Sequence, residues 1–170
     1  FESREGPGSV FAFTLTLPVV ARADAPAPSA DTATLAPARE PLRLLVAEDN
    51  PVNQKLVVSL LEKWGHKVTL TADGEEALAA LHAGTFDAVL LDLQMPKLDG
   101  IDVARTWRAH EAATGRPRLP LVALTARALP EDQALCLDVG MDAHLPKPLN
   151  SRALRATIEC LVPAHGGVSV

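Results

Sequence analysis

The chain has 170 residues, 48% of them apolar, and a formal charge of −5. That length holds one ordinary domain with extensions, and the apolar share is enough for a full core. The negative balance, with no block of Lys and Arg, excludes a nucleic-acid surface, and no apolar run is long enough to span a bilayer.

The opening residues Phe1–Gly8 lack the basic and apolar regions of a signal peptide. With no initiating Met, the chain reads as a piece of something longer. Phe11, Phe13, Leu15 and Leu17 alternate, which predicts a strand after the turn-forming Gly6-Pro7-Gly8-Ser9. A single strand cannot bury its own apolar face, so residues 1–18 call for a sheet supplied from upstream. Residues 19–40 are rich in Ala and Pro, and repeated Pro removes the donors a helix or sheet needs. They read as a semi-extended tether.

Residues 41–163 alternate short apolar runs with amphipathic segments. The runs predict strands over 42–47, 67–71, 87–91, 120–124 and 143–146. Helices are expected between and after them. In 51–64, Val52, Leu56, Leu60 and Trp64 recur every four residues, behind an N-cap Asn50 and a first-position Pro51. Asp73 and Glu76 make a capping-box pattern ahead of a helix over 74–83. A third helix covers about 100–112, with Ile101, Ala104 and Trp107. A fourth starts at Pro130 and stops before Gly140. The fifth carries Leu154, Ile158 and Leu161 and ends at Pro163, followed by a flexible tail over 164–170. Five β/α units in this order predict a parallel sheet covered on both faces. Cys136 and Cys160 fall in helical patterns without metal-ligand spacing, and read as reduced, packed thiols of a cytosolic protein.

Five polar residues end apolar runs. Glu48 and Asp49 follow the first, Asp92 the third, Thr125 the fourth and Lys147 the fifth. In a parallel sheet they converge at the carboxyl edge, where such folds bind ligands. Carboxylates brought that close repel unless a cation intervenes. Magnesium suits them, being hard and oxygen-seeking. Asp49 and Asp92 are the expected direct ligands, the backbone carbonyl of Gln94 a third, and Glu48 acts through water. Asp92 is the best-placed nucleophile, since a carboxylate can accept a phosphoryl group as an acyl phosphate. Lys147 would neutralise the phosphoryl oxygens and Thr125 would donate a hydrogen bond to one. A cis peptide is expected at Lys147-Pro148. Taken singly, an Asp after a strand is most often a cap or turn former. The joint placement of all five makes that bland account inadequate. Asp73, Asp99, Asp138 and Asp142 lack such company and are read as structural.

These residues resemble the receiver domain of two-component response regulators. The matching motifs are Leu45-Val46-Ala47-Glu48-Asp49-Asn50, Leu91-Asp92-Leu93-Gln94-Met95-Pro96 with Asp99-Gly100, Leu124-Thr125-Ala126 and Lys147-Pro148. The resemblance covers about 41–163. It implies a flavodoxin-like sheet of order 2-1-3-4-5 and transfer of phosphate from a phosphohistidine to Asp92 with magnesium. It also implies that Thr125 and Lys147 sense the phosphate. Asn50-Pro51-Val52-Asn53 and Met95-Pro96 look like receivers fused to sensor kinases, and residues 6–15 look like the closing strand of a histidine-kinase ATPase domain. The implied parent is a hybrid sensor histidine kinase, and the implied partners are its phosphohistidine domain and a His-containing phosphotransfer domain.

Receivers commonly carry Tyr or Phe where this chain has His144, so His144 is the candidate for the aromatic switch. Gln94 and Arg127, each two residues beyond Asp92 and Thr125, are expected to border the site and tune phosphate lifetime. Two other functions compete. An interaction module with a vestigial site would tolerate losses that this chain does not show. A haloacid-dehalogenase-like phosphatase wants an Asp where Gln94 stands. Kinase activity of the chain itself fails, because the segments that bind ATP are missing.

Overall fold

The computed structural model describes residues 41–126 and 130–162. The expectations for 1–40, for Arg127 and for the tail beyond 162 lie outside the described residues. Five strands, β1 (Arg43–Ala47), β2 (Lys67–Thr71), β3 (Ala88–Asp92), β4 (Leu121–Thr125) and β5 (Ala143–Pro146), form one parallel sheet of order β2-β1-β3-β4-β5. The helices are α1 (Pro51–Lys63), α2 (Gly74–Ala83), α3 (Gly100–Thr114), α4 (Pro130–Asp138) and α5 (Ser151–Leu161). Alternation along the strands divides the core in two. Leu45, Ala47, Val89, Leu91 and Ala123 pack with Ala77, Leu81, Val103 and Trp107 on the α2 and α3 side. Leu44, Val46, Leu90, Val122 and Leu124 pack with Val57, Leu61, Leu154 and Ile158 on the α1 and α5 side. Each fully buried Leu or Ile contributes on the order of 2 kcal/mol by leaving water.

The helix ends follow local chemistry. Asn50, Asp73, Asp99 and Asn150 each accept a backbone N–H from the first turn of α1, α2, α3 and α5. The Glu76 carboxylate completes its capping pattern one residue further out than expected, accepting from Ala72 N at 2.9 Å. The third helix runs beyond 112 to Thr114 and stops at left-handed Gly115.

Three expectations need correction. Asp92 and Thr125 are the last residues of β3 and β4 rather than the first after them, because pairing with Leu124 and Pro146 continues through both. The four-residue apolar stripe of α1 divides: Leu60 and Trp64 pack against the core, and Val52 and Leu56 do not. Val57 and Leu61 are buried, whereas Val52 is 73% and Leu56 44% exposed. The core takes Val57 and Leu61 together with the C-terminal half of the stripe, Leu60 and Trp64. Cys136 is buried as expected, but Cys160 is exposed on α5. Among the described residues, no helix is long and apolar enough to cross a membrane.

The strand order sets where a ligand goes. From β1 the chain moves outward to β2 through α1, then returns past β1 to β3 through α2 on the other face. The crevice at this reversal lies beyond the carboxyl ends of β1 and β3.

Candidate functional site

Glu48 and Asp49 leave β1 into that crevice, and Asp92 ends β3 beside them. Carboxylate oxygens of all three lie within 4.8 Å of one another. Glu48 is fully buried and Asp92 is 5% exposed, whereas Asp49 is exposed. The first turn of α1 holds Glu48 in place. Asn53 Nδ2 donates to Glu48 Oε1 at 2.8 Å, and Gln54 Nε2 donates to the Glu48 carbonyl at 2.6 Å. Residue types alone gave no role to Asn53 or Gln54. Their only signal was a place in the turn after the acidic pair.

Lys147 reaches in from the loop after β5. Its Nζ lies 2.6 Å from Asp92 Oδ2 and 2.7 Å from Glu48 Oε2. The first contact is a hydrogen bond; the second is ionic contact without regular hydrogen-bond geometry, and Glu48 Oε2 is left buried with no hydrogen bond of its own. The peptide before Pro148 is cis, as expected. Lys147 N donates to the Thr125 carbonyl at 2.8 Å, which joins the ends of β4 and β5. Thr125 is 4% exposed at the end of β4. Gln94 N donates to Asp92 Oδ1 at 3.1 Å, and the Gln94 side chain is exposed at the mouth of the cleft. His144 lies half-buried on β5, opposite Ala123.

Gly100 explains how the next helix comes so close. A Cβ there would lie 2.3 Å from the Asp92 carbonyl oxygen, so only glycine lets the start of α3 press against the end of β3.

The electrostatics are unbalanced. Burial pushes the Asp92 carboxyl above its ordinary range; hydrogen bonds from Lys147 and Gln94 N oppose this without cancelling it, and the Glu48 charge adds to the rise. Burial alone would lower the Lys147 ammonium, but its hydrogen bond to Asp92 and its contact with Glu48 outweigh burial and raise it. Three carboxylates thus face one ammonium, and the buried Oε2 of Glu48 has only its ionic contact with that ammonium. A hard divalent cation with oxygen ligands fits that donor set.

The sequence expectation therefore places Glu48, Asp49, Asp92, Thr125 and Lys147 correctly at one edge of the sheet.

Comparison with known proteins agrees with the geometry. The family model described as the response regulator receiver domain matches residues 44–159. The chain is 39% identical to the aerobic respiration control sensor protein ArcB of Escherichia coli over 157 residues, covering 92% of this chain and 19% of ArcB. It is 40% identical to the sensor protein GacS of Pseudomonas syringae over 68% of this chain and 13% of GacS. This chain therefore spans less than a fifth of either relative. Among solved structures, the receiver domain of the sensor histidine kinase PA1611 of Pseudomonas aeruginosa, with magnesium coordinated in its active-site cleft, matches with a TM-score of 0.65 and 38% identity, over 72% of this chain and 98% of that one. The receiver domain of Ssk1 of Saccharomyces cerevisiae, crystallised with the histidine phosphotransfer protein Ypd1, belongs to a match with a TM-score of 0.71 and 29% identity, over 77% and 95%. An acidic cleft at the switch point of a 2-1-3-4-5 sheet, and the family match across it, lead to one conclusion: this chain belongs to the response regulator receiver domains, the phosphorelay modules homologous to those of hybrid histidine kinases.

Proposed function

We propose that Asp92 is the phosphoacceptor, taking its phosphoryl group from a phosphohistidine of a partner domain. In that step the phosphorus–nitrogen bond to the imidazole breaks and a phosphorus–oxygen bond to the Asp92 carboxylate forms. The imidazole leaves as the neutral base once it holds its proton. The observation that carries this reading is the contact of Lys147 with Asp92 inside a triad of carboxylates. Lys147 holds an ammonium where phosphoryl charge would arrive, and Thr125, at the end of β4, would donate to a phosphoryl oxygen. Asp49, Asp92 and the Gln94 carbonyl are the direct ligands for magnesium, and Glu48, already bound by Asn53 and Lys147, acts through water. Bound magnesium would neutralise the phosphoryl oxygens. His144 serves as the switch residue, and Gln94 and Arg127 tune phosphate lifetime by controlling the approach of water. An interaction module with a vestigial site is not favoured, because every charged group of the cluster is present.

The partner is the phosphohistidine domain of a histidine kinase and, downstream, a His-containing phosphotransfer domain. Val52 and Leu56, exposed on α1 beside the cleft, offer it an apolar docking stripe. The likeness to sensor kinases supports a hybrid histidine kinase as the parent protein. An alignment with ArcB over 92% of the chain reaches beyond what residues 41–163 could supply. This supports 1–18 as the last strand of an ATPase domain, 19–40 as a linker and 41–163 as the receiver.

Incubation with acetyl phosphate and magnesium, read by intact mass, tests the acceptor. A gain of about 80 Da that Asp92→Asn abolishes is expected, one phosphoryl group on one carboxylate. A gain that persists in Asp92→Asn would overturn the assignment.

A further inference from the structure

We propose that Lys97 and Asp73 form a clasp that positions the loop between β3 and α3, and that this clasp sets the affinity of the acidic cleft for a divalent cation. The inference rests on the assignment of Asp92 and the Gln94 carbonyl above.

The loop from Leu93 to Asp99 carries Gln94 out of β3 and returns to α3. Gly100 N bonded to the Leu93 carbonyl at 3.1 Å ties its ends, and Leu98 N bonded to the Pro96 carbonyl at 2.8 Å closes a tight turn around Lys97. Within the loop Gln94, Pro96 and Lys97 are exposed. Lys97 has φ of 65°, the only non-glycine residue with positive φ among the described residues. That conformation costs a side-chain-bearing residue about 1 kcal/mol, and glycine would adopt it freely. A lysine kept there needs a reason beyond the turn.

The side chain supplies it. Lys97 Nζ lies 2.5 Å from Asp73 Oδ2 and 3.9 Å from Glu75 Oε2. Asp73 is only 6% exposed at its side chain, and its other oxygen, Oδ1, accepts Glu76 N at 2.9 Å. A single carboxylate thus caps α2 and anchors the loop. The hydrogen bond from Lys97 holds the Asp73 carboxyl below its usual range, and the same bond raises the Lys97 ammonium. Backbone contact runs alongside. A Cβ on Gly74 would lie 2.1 Å from the Leu98 carbonyl oxygen, so the loop presses directly on the first residue of α2.

Lys97 is 54% exposed, so the pair adds little to global stability. Its effect is local. It fixes a segment that begins at Asp92 and includes Gln94, three residues before Lys97. Neither Lys97 nor Asp73 belongs to the acidic triad or contacts Asp92, so both are positioning residues. Partners that orient metal ligands from outside change metal affinity when removed.

The test compares wild type, Asp73→Asn, Lys97→Met and the double variant. Asparagine caps a helix as well as aspartate, so Asp73→Asn removes the ion pair and keeps α2 intact. In metal-free protein, amide hydrogen exchange over residues 94–98 should quicken in all three variants while the melting temperature hardly moves. Magnesium titrated calorimetrically should bind roughly 3- to 10-fold more weakly, less than buried outer partners of a metal site give, because Lys97 is half exposed. The double variant should lose no more than the worse single one, because both remove the same contact. Unchanged exchange and affinity, or losses that add in the double variant, would overturn the clasp. Wild type that neither binds magnesium nor gains a phosphoryl group would sink the functional assignment instead, and exchange over 94–98 would still judge the clasp separately.

Discussion

Two charge clusters among the described residues, one at each end of the sheet, differ in one respect. Arg108 and Arg118 face Glu111 and Asp142 around the start of β4. There two guanidiniums meet two carboxylates, and every carboxylate oxygen is taken. Glu111 accepts from Arg108 at 2.6 Å and from Leu119 N at 2.8 Å; Asp142 accepts from Arg118, Arg108 and Leu121 N at 2.8 to 2.9 Å. Both arginines also donate to the Gly140 carbonyl. At the carboxyl edge, three carboxylates meet one ammonium, and the buried Oε2 of Glu48 has only its ionic contact with that same ammonium. Residue composition hardly separates the clusters. Balance does: the satisfied network holds loops together, and the unsatisfied one has capacity left for a ligand.

The comparison breaks most easily at the balanced end. Arg108→Met removes the guanidinium that joins Glu111, Asp142 and Gly140, and its side chain is only 13% exposed. Glu111 is then left buried without a cation, while Asp142 keeps Arg118, so a loss of about 3 kcal/mol in urea unfolding is expected. Magnesium should restore none of it. A loss under about 1 kcal/mol would mean that this network is no more structural than an ordinary surface pair.

Lys147→Met is the matched substitution at the other end. It strands Glu48 and Asp92, both nearly buried. Without metal the loss should be roughly 2 kcal/mol, smaller because Asp92 can take up a proton. Here magnesium should recover most of it, since a cation bound only by the folded state stabilises that state by mass action. Recovery of Arg108→Met by magnesium, or none for Lys147→Met, would erase the distinction between the clusters.

What the sequence made legible follows the same division. A polar residue closing a buried apolar run is visible in a linear string, so Glu48, Asp49, Asp92, Thr125 and Lys147 could be placed together before any coordinates. The sheet was legible for a related reason, because β3 and β4 are buried along their whole length and leave no alternation to mislead. The core face of α1 was not. Val52 and Leu56 compete with Val57 and Leu61, and only the position of the sheet chooses between them. The Lys97–Asp73 pair joins residues 24 apart, and the Arg108–Asp142 pair joins residues 34 apart. Nothing local in either segment announces a partner at that distance.

The smallest expected effect is the most diagnostic. Asp92→Asn keeps the shape of the side chain and relieves charge in a crowded acidic cleft. In the presence of a chelator the variant should be more stable than wild type by on the order of 1 kcal/mol near neutral pH. The pH dependence fixes the cause. The folded state raises Asp92 above its ordinary value of 3.8, so folded wild type holds this proton to higher pH than the unfolded chain does. Asp92 therefore favours folding below about pH 3.8, and that contribution is lost as pH rises through the folded value. The advantage of Asp92→Asn should accordingly be least in acid, grow as Asp92 ionises, and level off above its folded pKa. Asp142→Asn should do the reverse at neutral pH and destabilise, because it trades a fully paired carboxylate for an amide that cannot accept all of its present donors as strongly. If both amide variants move stability in the same direction, charge balance is not what distinguishes the two ends of this molecule.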